Sequence, residues 1–507
     1  MIIERYLQEV ATIDPDGEAI KSQGVWGSWG ELAGLSRQVQ ERLDSAGVPQ
    51  GARIGLLLRS RSPHMAAFVA CIVSGRCTIA FNPLLGAARL AADIESQAPV
   101  IVVGIEEDLA GLETAVEAAR PSIPMLRLPD ALGGTVVWRD GLEPVVLADD
   151  RLRPDVVVEM LTSGTTGTPK RIALYRSSLD ESFIQGHKYE SGRDDGPVLR
   201  SGVRIVTAPL THISGIFGAL TTLADGRKLV LQEKFHVDEW VAEIERHGAK
   251  VANLPPAALR MILDADVPRE RLSSLLALRS GTAPVDPAII DAFLERYGLP
   301  VLVQYGATEF AGGVAGWTIK DFRDFYPKKR GSVGRIHQNI EARVVDGESG
   351  QVLPYGTTGI LELRGSQLGD PTKWVRTTDR ASLDGDHFLW INGREDNAIN
   401  RGGFKIHPDS VAKAIGAHPA VKEAVVVGIP DRRLGEVPVA VMTLNPGVPT
   451  PDVAELRAFL SGTLLPYQIP ASFKFVDEIP RTQLLKPSAP EIKQLFIEPD
   501  TALVARA

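Results

Sequence analysis

The sequence LTSGTTGTPKR at residues 161–171 follows the apolar triplet Val156–Val158, which predicts a short buried strand leading into a polar loop. Five hydroxyl residues, two glycines and one lysine suit a loop that wraps around a polyphosphate. Glycine lets the backbone approach a ligand closely, hydroxyl groups donate hydrogen bonds, and Lys170 supplies positive charge. No GxxxxGK[ST] spacing runs through it, so it is not a Walker A loop. A polar surface turn is the alternative, and the cluster alone leaves that at roughly even odds.

The composition is that of an ordinary globular protein. A chain of 507 residues is too long for one hydrophobic core, so we expect two or more domains. Hydrophobic residues make up 44% and charged residues 23%, both within the usual range. The net charge of −8 argues against nonspecific nucleic-acid binding, which needs a basic surface. We therefore expect no nucleic-acid partner.

The cysteine content and the hydropathy of the chain indicate its cellular compartment. Cys71 and Cys77 are the only cysteines, too few for a disulfide scaffold or a zinc site, and they fit small core residues in a reducing cytosol. The N-terminus lacks the pattern of a signal peptide, and the most apolar stretch, Met65–Val73, is too short to span a bilayer. These features predict a cytoplasmic protein without stable membrane insertion, and they carry no information on oligomeric state.

Helical and strand-like segments alternate along most of the chain, which predicts an α/β fold. Parallel-type sheets with helices are expected in a large N-terminal domain, residues 1–395, with a β-rich part at about 330–395. A small α/β domain is expected at residues 396–507, and the turn Gly393–Asp396 is the predicted joint. One continuous domain with a surface loop here is the alternative, which the length disfavours.

A second motif, VLVQYGATE at residues 301–309, is a hydrophobic strand followed by polar residues. Polar residues at the carboxyl end of a strand in an open α/β sheet lie where ligands usually bind. Tyr305 could stack on a planar base, and Glu309 could hold Mg²⁺ through oxygen. By itself the pattern is weak, because a glutamate after a strand is more often a helix-start residue.

Three further segments carry polar groups near the C-terminus. Asp379, in Thr377-Thr378-Asp379, could accept hydrogen bonds from both ribose hydroxyls. A turn-forming or capping aspartate is the alternative, at roughly two chances in three for the residue alone. The other two segments read INRGGFKIHP at residues 399–408 and IPRTQLLK at residues 479–486. A lone lysine such as Lys486 is usually a solvated surface charge.

These motifs, in this order, resemble those of the adenylate-forming superfamily: acyl-CoA synthetases, peptide-synthetase adenylation domains and luciferases. Residues 161–171 are similar to its phosphate loop, and Ser280–Pro284 to its adenine-side segment. The departures are few. Thr378, Asn400 and Leu485 stand where glycine, lysine and glycine are usual, and residues 410–412 lack the common acidic pair.

The resemblance implies a nucleotide site built from several segments. It places Tyr305 on adenine, Thr308 near the phosphate, and Asp379 with Arg394 on the ribose. Catalytic roles fall to Thr165, Lys170, Glu309 and Lys486, and Glu309 is also the implied magnesium ligand. The residues implied in ATP or AMP binding are Thr162, Ser163, Gly164, Thr165, Thr166, Gly167, Lys170, Gly281, Thr282, Ala283, Tyr305, Gly306, Thr308, Asp379 and Arg394.

The resemblance also implies an acyl site, a coenzyme A side and a moving domain. Asp396 is the implied hinge of a mobile C-terminal domain that delivers Lys486. Small residues near Gly312 suggest either an open acyl pocket or a tight turn, and His212 taken alone fits a core histidine. The residues implied at the acyl pocket or gate are His212, Phe217, Gly312 and Gly313, and those on the coenzyme A side are Gly402, Gly403 and Phe404.

The function implied is ligation of a small-molecule carboxylic acid to coenzyme A through acyl-AMP, with ATP and Mg²⁺. Coenzyme A is favoured over a carrier protein because few residues follow Lys486. A stand-alone adenylation enzyme that loads a carrier protein, or that uses the adenylate for non-thioester chemistry, is an alternative. A catalytically inactive nucleotide-binding regulatory protein is a more distant one, favoured only by Asn400 and Leu485.

Overall fold

The computed structural model describes residues 1–116, 123–139, 151–162, 170–191 and 196–497. Within these residues the helices are α1 (Ile2–Val10), α2 (Trp29–Ser45), α3 (Ser62–Val73), α4 (Ala87–Gln97), α5 (Glu106–Val116), α6 (Arg176–Ser191), α7 (Ile213–Ala224), α8 (Val237–His247), α9 (Pro256–Asp264), α10 (Pro287–Tyr297), α11 (Ile319–Phe325), α12 (Pro408–Gly416), α13 (Val453–Ser461) and α14 (Ala489–Ile497). None of these described helices combines the length and apolarity that crossing a membrane requires.

The strands alternate with these helices through most of the described chain. They are β1 (Glu18–Ser22), β2 (Val25–Ser28), β3 (Arg53–Leu57), β4 (Cys77–Phe81), β5 (Ile101–Ile105), β6 (Met125–Leu128), β7 (Val137–Trp138), β8 (Val156–Thr162), β9 (Lys170–Tyr175), β10 (Val203–Val206), β11 (Lys228–Leu231), β12 (Val251–Asn253), β13 (Ala277–Ser280), β14 (Val301–Ala307), β15 (Gly312–Gly316), β16 (Arg335–Ile336), β17 (Glu341–Val345), β18 (Gly359–Arg364), β19 (Val375–Leu383), β20 (Leu389–Arg394), β21 (Ile399–Arg401), β22 (Phe404–Ile406), β23 (Val421–Asp431), β24 (Gly435–Leu444) and β25 (Ser472–Phe475).

Contacts divide the described chain into two compact units. The first contains the described residues up to Glu341 together with Arg364–Lys373, and the second contains Ala342–Leu363 and the described residues from Trp374 onward. The strands β17 to β20 therefore belong mainly to the second unit. The domain boundary at residue 395 stays a prediction from sequence.

The first unit contains three sheets of largely parallel strands, as the α/β prediction requires. The largest has the order β7-β6-β5-β3-β4-β8-β9, and within the described residues its two edge strands pair antiparallel and the others pair parallel. A second has the order β10-β11-β1-β2. In the third, β12, β13 and β14 are parallel, and β15 and β16 continue it antiparallel. The fold class read from the sequence is confirmed.

The core of the first unit includes α3, which contains the apolar stretch Met65–Val73 noted in the sequence. Nearly all of its side chains are buried, among them Met65, Phe68 and Ile72. Cys71 and Cys77 are buried as free thiols, and burial raises the pKa of Cys71 to about 11. Both cysteines are therefore protonated core residues, as the composition predicted.

The second unit contains two sheets. One has the order β17-β18-β19-β20, and the other has the order β22-β21-β24-β23 with β25 paired to β24. Helices α12 and α13 bury Val411, Ile415, Leu456 and Leu460 in one core with Met442 of β24. Burial of these aliphatic side chains stabilises the small α/β part of the unit.

Candidate active site

The phosphate-loop motif lies largely outside the described residues. This applies to Ser163, Gly164, Thr165, Thr166 and Gly167. Thr162 ends β8 and Lys170 begins β9, and the backbones of these two residues pair across the antiparallel ladder. Strand β9 also contacts the turn Thr308–Phe310. The strand that continues from the motif therefore runs beside the turn that carries Glu309.

Arg171 anchors β9 to the sheet by a buried guanidinium. Its Nη2 donates to Asp93 Oδ2 at 2.6 Å, and its Nη1 donates to the carbonyl oxygens of Ala80 at 3.1 Å and Glu159 at 3.2 Å. The guanidinium also lies over the ring of Phe81, 4.8 Å from its centroid. Burial lowers the pKa of Arg171, and Asp93 opposes that shift. Sequence reasoning missed this anchor because its partners lie far away along the chain.

The adenine-side segment follows β13 at the carboxyl edge of the third sheet. A Cβ at Gly281 would stand 3.0 Å from the carbonyl oxygen of Gln304, so the two neighbouring strands approach closely there. Thr282 has φ +70°, a left-handed conformation that is uncommon for a residue with a side chain. Ala283 follows it. Because β13 and β14 are parallel neighbours, this segment lies beside Tyr305 at one sheet edge.

The Tyr305–Glu309 motif forms the end of β14 and the turn after it. β14 extends to Ala307 because β15 folds back and pairs with it. A Cβ at Gly306 would stand 2.2 Å from the carbonyl oxygen of Gly312, so this close approach requires glycine. Thr308 and Glu309 lie in a short 3₁₀ turn. Tyr305 is half-buried, and its ring centroid is 6.2 Å from that of Phe310.

A buried glutamine that the sequence did not single out holds this turn in place. The Nε2 atom of Gln367 donates to the carbonyl oxygens of Phe310 at 2.7 Å and Gly313 at 3.3 Å. Gln367 is only 3% exposed, so these bonds satisfy a polar group inside the protein. Its effect is to tie the turn that carries Glu309 to the start of β15.

The carboxylate of Glu309 fits the chemistry of a magnesium ligand. It is exposed at the carboxyl edge of β14. No group of three or more metal-ligating acids, histidines or cysteines occurs among the residues that the structure describes. Mg²⁺ commonly binds through one or two carboxylates together with substrate phosphates, so a single carboxylate is compatible with that mode of binding.

The residues assigned to the acyl side lie on two elements in contact, α7 and β15. His212 is the half-buried residue that precedes α7, and Phe217 of α7 packs against the main core. Gly312 has φ +144°, and a Cβ there would stand 2.7 Å from Ser182 Oγ. The backbone itself thus requires glycine at position 312, which supports the tight-turn explanation for that residue.

Asp379 and Arg394 pair across β19 and β20 in the second unit. Arg394 donates from Nε and Nη2 to Asp396 at 2.8 and 2.7 Å, and from Nη2 to Thr378 Oγ1 at 2.7 Å. Its Nε is 4.0 Å from Asp379 Oδ1. Asp379 lies within a strand, so it is not the turn-forming aspartate considered as the alternative. Thr378, which replaces a glycine usual in the family, supplies an acceptor that glycine could not.

Lys486 lies in a tight loop in which the preceding residue, Leu485, has a backbone conformation that favours glycine. Leu485 has φ +57°, the left-handed region. The loop closes by bonds from Leu485 N to Thr482 O at 2.8 Å and from Thr482 N to Lys486 O at 2.7 Å. Lys486 is half-buried, and burial lowers its pKa, with a further reduction from the positive charge of Arg394. It is not a fully solvated surface lysine.

The coenzyme A candidates form the turn of the β21–β22 hairpin. Gly402 and Gly403 have φ +57° and +88°, as a two-residue turn with two left-handed positions requires. Phe404 is 56% exposed and stacks on Tyr467, with ring centroids 4.6 Å apart. Asn400, which replaces the usual lysine, donates its backbone N–H to Glu436.

The described candidates thus form two groups. Residues after β13 and β14 gather in the first unit, whereas Asp379, Arg394, Asp396 and Lys486 gather in the second. The sequence motifs identified both groups. Gln367 lies in no motif, and Arg171 ends the phosphate-loop motif without an expected role, so only contacts across the fold reveal what these two residues do.

Several known proteins are similar to this chain over most of its length. A family model described as AMP-binding enzyme matches residues 7–370, and one described as AMP-binding enzyme C-terminal domain matches residues 410–486. An indoleacetate–CoA ligase of Aromatoleum aromaticum is 28% identical, over 98% of each chain. A 2-succinylbenzoate–CoA ligase of Bacillus pumilus is 29% identical, over 94% of each chain.

One solved structure is also similar over nearly the whole chain. The amide bond synthetase McbA of Marinactinospora thermotolerans aligns with a TM-score of 0.78 and 26% identity, covering 97% of this chain and all of the other. Proteins that resemble this chain over nearly their full length therefore include one named for amide formation.

Proposed function

The chain belongs to the family of AMP-binding enzymes, and from that premise we propose that it is an ATP-dependent acid–thiol ligase. It activates a carboxylic acid as acyl-AMP with release of pyrophosphate, and it transfers the acyl group to coenzyme A. Because the relatives described above are named for indoleacetate and 2-succinylbenzoate, we propose an acid with an aryl group as the first class to test.

The observation that carries the proposal is the grouping of Lys486 with Asp379 and Arg394. Asp379 and Arg394 occupy opposite positions on paired strands, and Arg394 is close enough to lower the pKa of Lys486. A carboxylate that can accept from ribose hydroxyls, paired with a guanidinium that also acts on a nearby lysine, suits a nucleoside with an attached phosphate. These are the requirements of a site that handles AMP esters.

A free carboxylate is a poor acylating agent because its leaving group would be oxide, so the acid must first be activated. The substrate carboxylate attacks the α-phosphorus of ATP, pyrophosphate leaves, and the acid becomes a mixed anhydride with AMP. Lys486 places positive charge where negative charge develops on the carboxylate and phosphate oxygens, and Thr165 and Lys170 hold the outer phosphates. Glu309 would hold Mg²⁺, which would supply positive charge next to the phosphate oxygens. The thiol then attacks the acyl carbon and expels AMP.

The two half-reactions require different access to the acyl carbon, which we assign to rotation about Asp396. The carboxylate of Asp396 receives two bonds from Arg394, so the start of the moving segment is held at a residue of the nucleotide site. Closure and opening of one domain is a common way to serve successive steps with one site.

Lys486→Ala separates the two half-reactions. We expect it to reduce acid-dependent ATP–pyrophosphate exchange at least about 100-fold, because a positioned charge at the developing anion is lost. Thioester formation from preformed acyl-AMP should change no more than a few-fold. The matched control is Lys413→Ala on the exposed face of α12, which should leave both rates unchanged. Equal loss of both half-reactions in Lys486→Ala would contradict the assigned role.

The acceptor distinguishes this proposal from its alternatives. The amide bond synthetase among similar structures makes amine acceptors a specific second candidate. Exchange that proceeds with an acid but yields no thioester with coenzyme A, while an added amine is acylated, would favour that chemistry. Absence of exchange with a broad acid panel would favour the regulatory alternative.

A further inference from the structure

Four side chains bridge the predicted hinge at Asp396. Lys405 Nζ donates to Glu395 Oε1 at 2.6 Å, and Arg380 Nη1 is 3.4 Å from Glu395 Oε2. Arg380 Nη1 also lies 3.2 Å from His407 Nε2. Arg380 and Glu395 come before the hinge in the chain, whereas Lys405 and His407 come after it. We refer to these four residues as the hinge cluster, because two of these contacts join the two sides of the hinge.

The contact between Arg380 and His407 requires a neutral imidazole. A guanidinium has only donors, so Arg380 Nη1 must donate and His407 Nε2 must accept. In a neutral ring the proton is then on Nδ1. The other charged groups around the imidazole are Lys405 of β22, Glu395, and Asp409 of α12. A proton added to Nε2 would replace this hydrogen bond by two cationic donors that face each other.

The surroundings of His407 favour the neutral ring. Burial lowers the pKa of His407, and the positive charges of Arg380 and Lys405 add to this shift. Glu395 and the backbone of Arg394 oppose the shift without cancelling it. The pKa therefore lies below its ordinary value of about 6.5. The hydrogen bond from Arg380 is intact at pH 7.5 and is lost as the pH falls below that value.

The hinge cluster is continuous with the nucleotide pair of the second unit. Asp379 and Arg394 are opposite each other on β19 and β20, and the next residue on each strand is Arg380 or Glu395. The register of the two strands shifts directly after this pair. The backbone N–H of Glu395 also donates to the carbonyl oxygen of Thr378 at 2.8 Å. The backbone that holds Asp379 and Arg394 therefore also holds the half of the hinge cluster that precedes the hinge.

We propose that the hinge cluster is a pH-sensitive latch: it holds the orientation in which Lys486 lies near Arg394, and proton uptake by His407 releases it. This inference rests on the proposed function, which assigns that orientation to the adenylation step. Rotation about Asp396 separates the imidazole from Arg380 and returns it to water, where its pKa is higher. A proton therefore binds more tightly to the rotated form and shifts the population towards it.

The strength of the contacts suits a latch that opens in every catalytic cycle. Lys405 is 60% exposed and Glu395 is 32% exposed. Ion pairs with this much exposure contribute little individually. The contact between Arg380 and His407 is less exposed than the lysine pair, and it is the one that a proton breaks. The latch thus biases the orientation without fixing it.

The test measures the orientation directly by pulsed dipolar spectroscopy between two spin labels. Thr357→Cys and Ala458→Cys place labels at exposed positions before and after Asp396, and the native Cys71 and Cys77 are buried. Distances are recorded without ligand at pH 7.5 and pH 5.5. We expect one main population at pH 7.5 and at least about a 3-fold rise of a second population at pH 5.5. The same distribution at both pH values would overturn the inference.

Variants of the labelled protein assign the response to residues. His407→Gln keeps an acceptor for Arg380 but cannot take up a proton, so its distribution should be the same at both pH values. Both proteins keep His64, so the comparison cancels the effect of that residue on stability. A pH response in His407→Gln as large as that of the wild type would overturn the inference.

The ion pair of the hinge cluster is tested at pH 7.5. Lys405→Met should raise the second population at least about 3-fold, because the bond to Glu395 is lost. The matched control is Lys413→Met on the exposed face of α12, which should keep the wild-type distribution. Equal effects of the two variants would show that the pair does not hold the orientation. The distance measurement needs no acid, whereas failure of the proposed function would appear as absence of pyrophosphate exchange with the acid panel.

Discussion

Leu485 shows how one residue can depart from a family pattern while the backbone keeps its shape. The left-handed conformation costs a residue with a side chain about 1–2 kcal/mol, a cost that glycine avoids. Three hydrogen bonds offset this strain. Two are the backbone bonds that close the loop, and in the third Arg481 Nη1 donates to Leu485 O at 2.9 Å. Arg481 is itself held by Glu423.

Comparison of Leu485→Gly with Leu484→Gly tests this account. Both leucines are half-buried, but only Leu485 has positive φ. Glycine at 484 should lose side-chain contacts and chain rigidity, whereas glycine at 485 also relieves backbone strain. We expect the loss in unfolding free energy to be smaller for Leu485→Gly than for Leu484→Gly by at least about 1 kcal/mol. The difference between the calorimetric Tm values of the two variants tests this expectation. Equal losses would mean that Leu485 is not strained.

Strand β9 is the element whose placement matters most for the proposed site. It lies at the edge of the seven-stranded sheet, and it contacts the turn that carries Glu309. Backbone hydrogen bonds to β8 hold one edge of β9. The buried Arg171 adds contacts to a neighbouring strand and to α4, so the start of β9 is held from several directions.

Breaking the Arg171–Asp93 pair should therefore destabilise the first unit. The two side chains are 10% and 18% exposed, so removing one partner leaves a mostly buried charge. We expect Arg171→Met to cost about 3 kcal/mol. Adding Asp93→Asn should recover part of that loss, because the orphaned carboxylate is neutralised. Denaturant unfolding of the two single variants and the double variant measures the coupling, and strictly additive losses would argue against an energetic pair.

At the scale of the whole molecule, buried ionisable groups link stability to pH. His64 is 1% exposed at the start of α3, and its Nε2 is 3.9 Å from Asp108. Burial lowers the pKa of His64; Asp108 opposes that shift, whereas Arg59 and Arg61 add to it. The folded state thus releases this proton more readily than the unfolded chain. The contribution to stability is complete above the unfolded pKa near 6.5 and is lost as pH falls below it.

His64→Leu should remove this acid sensitivity. Between pH 7.5 and 5.5 we expect the wild type to lose stability relative to the variant, by up to about 1.4 kcal/mol per pH unit below pH 6.5. Calorimetric Tm at several pH values measures the difference, with His236→Leu as the exposed control. A constant gap between wild type and His64→Leu across this range would show that His64 does not titrate in the folded protein.

The motifs and their order were readable from the sequence because each is local. The alternation of helical and strand-like segments predicted the α/β fold, short runs identified Tyr305–Glu309 and Asp379 as site candidates, and the family resemblance added Lys486. The pairing of β14 with β15, by contrast, depends on a chain reversal that no local pattern predicts.

Other properties of this protein exist only in the folded chain. Arg171 meets Asp93 from 78 residues away, and Gln367 reaches Phe310 across 57. The sequence by itself determined the family, through the resemblance of its motifs, and it named the candidates for the nucleotide site, because residue type and spacing are local properties. Tertiary structure decided which side chains support and border that site, because those contacts join residues that the chain keeps apart.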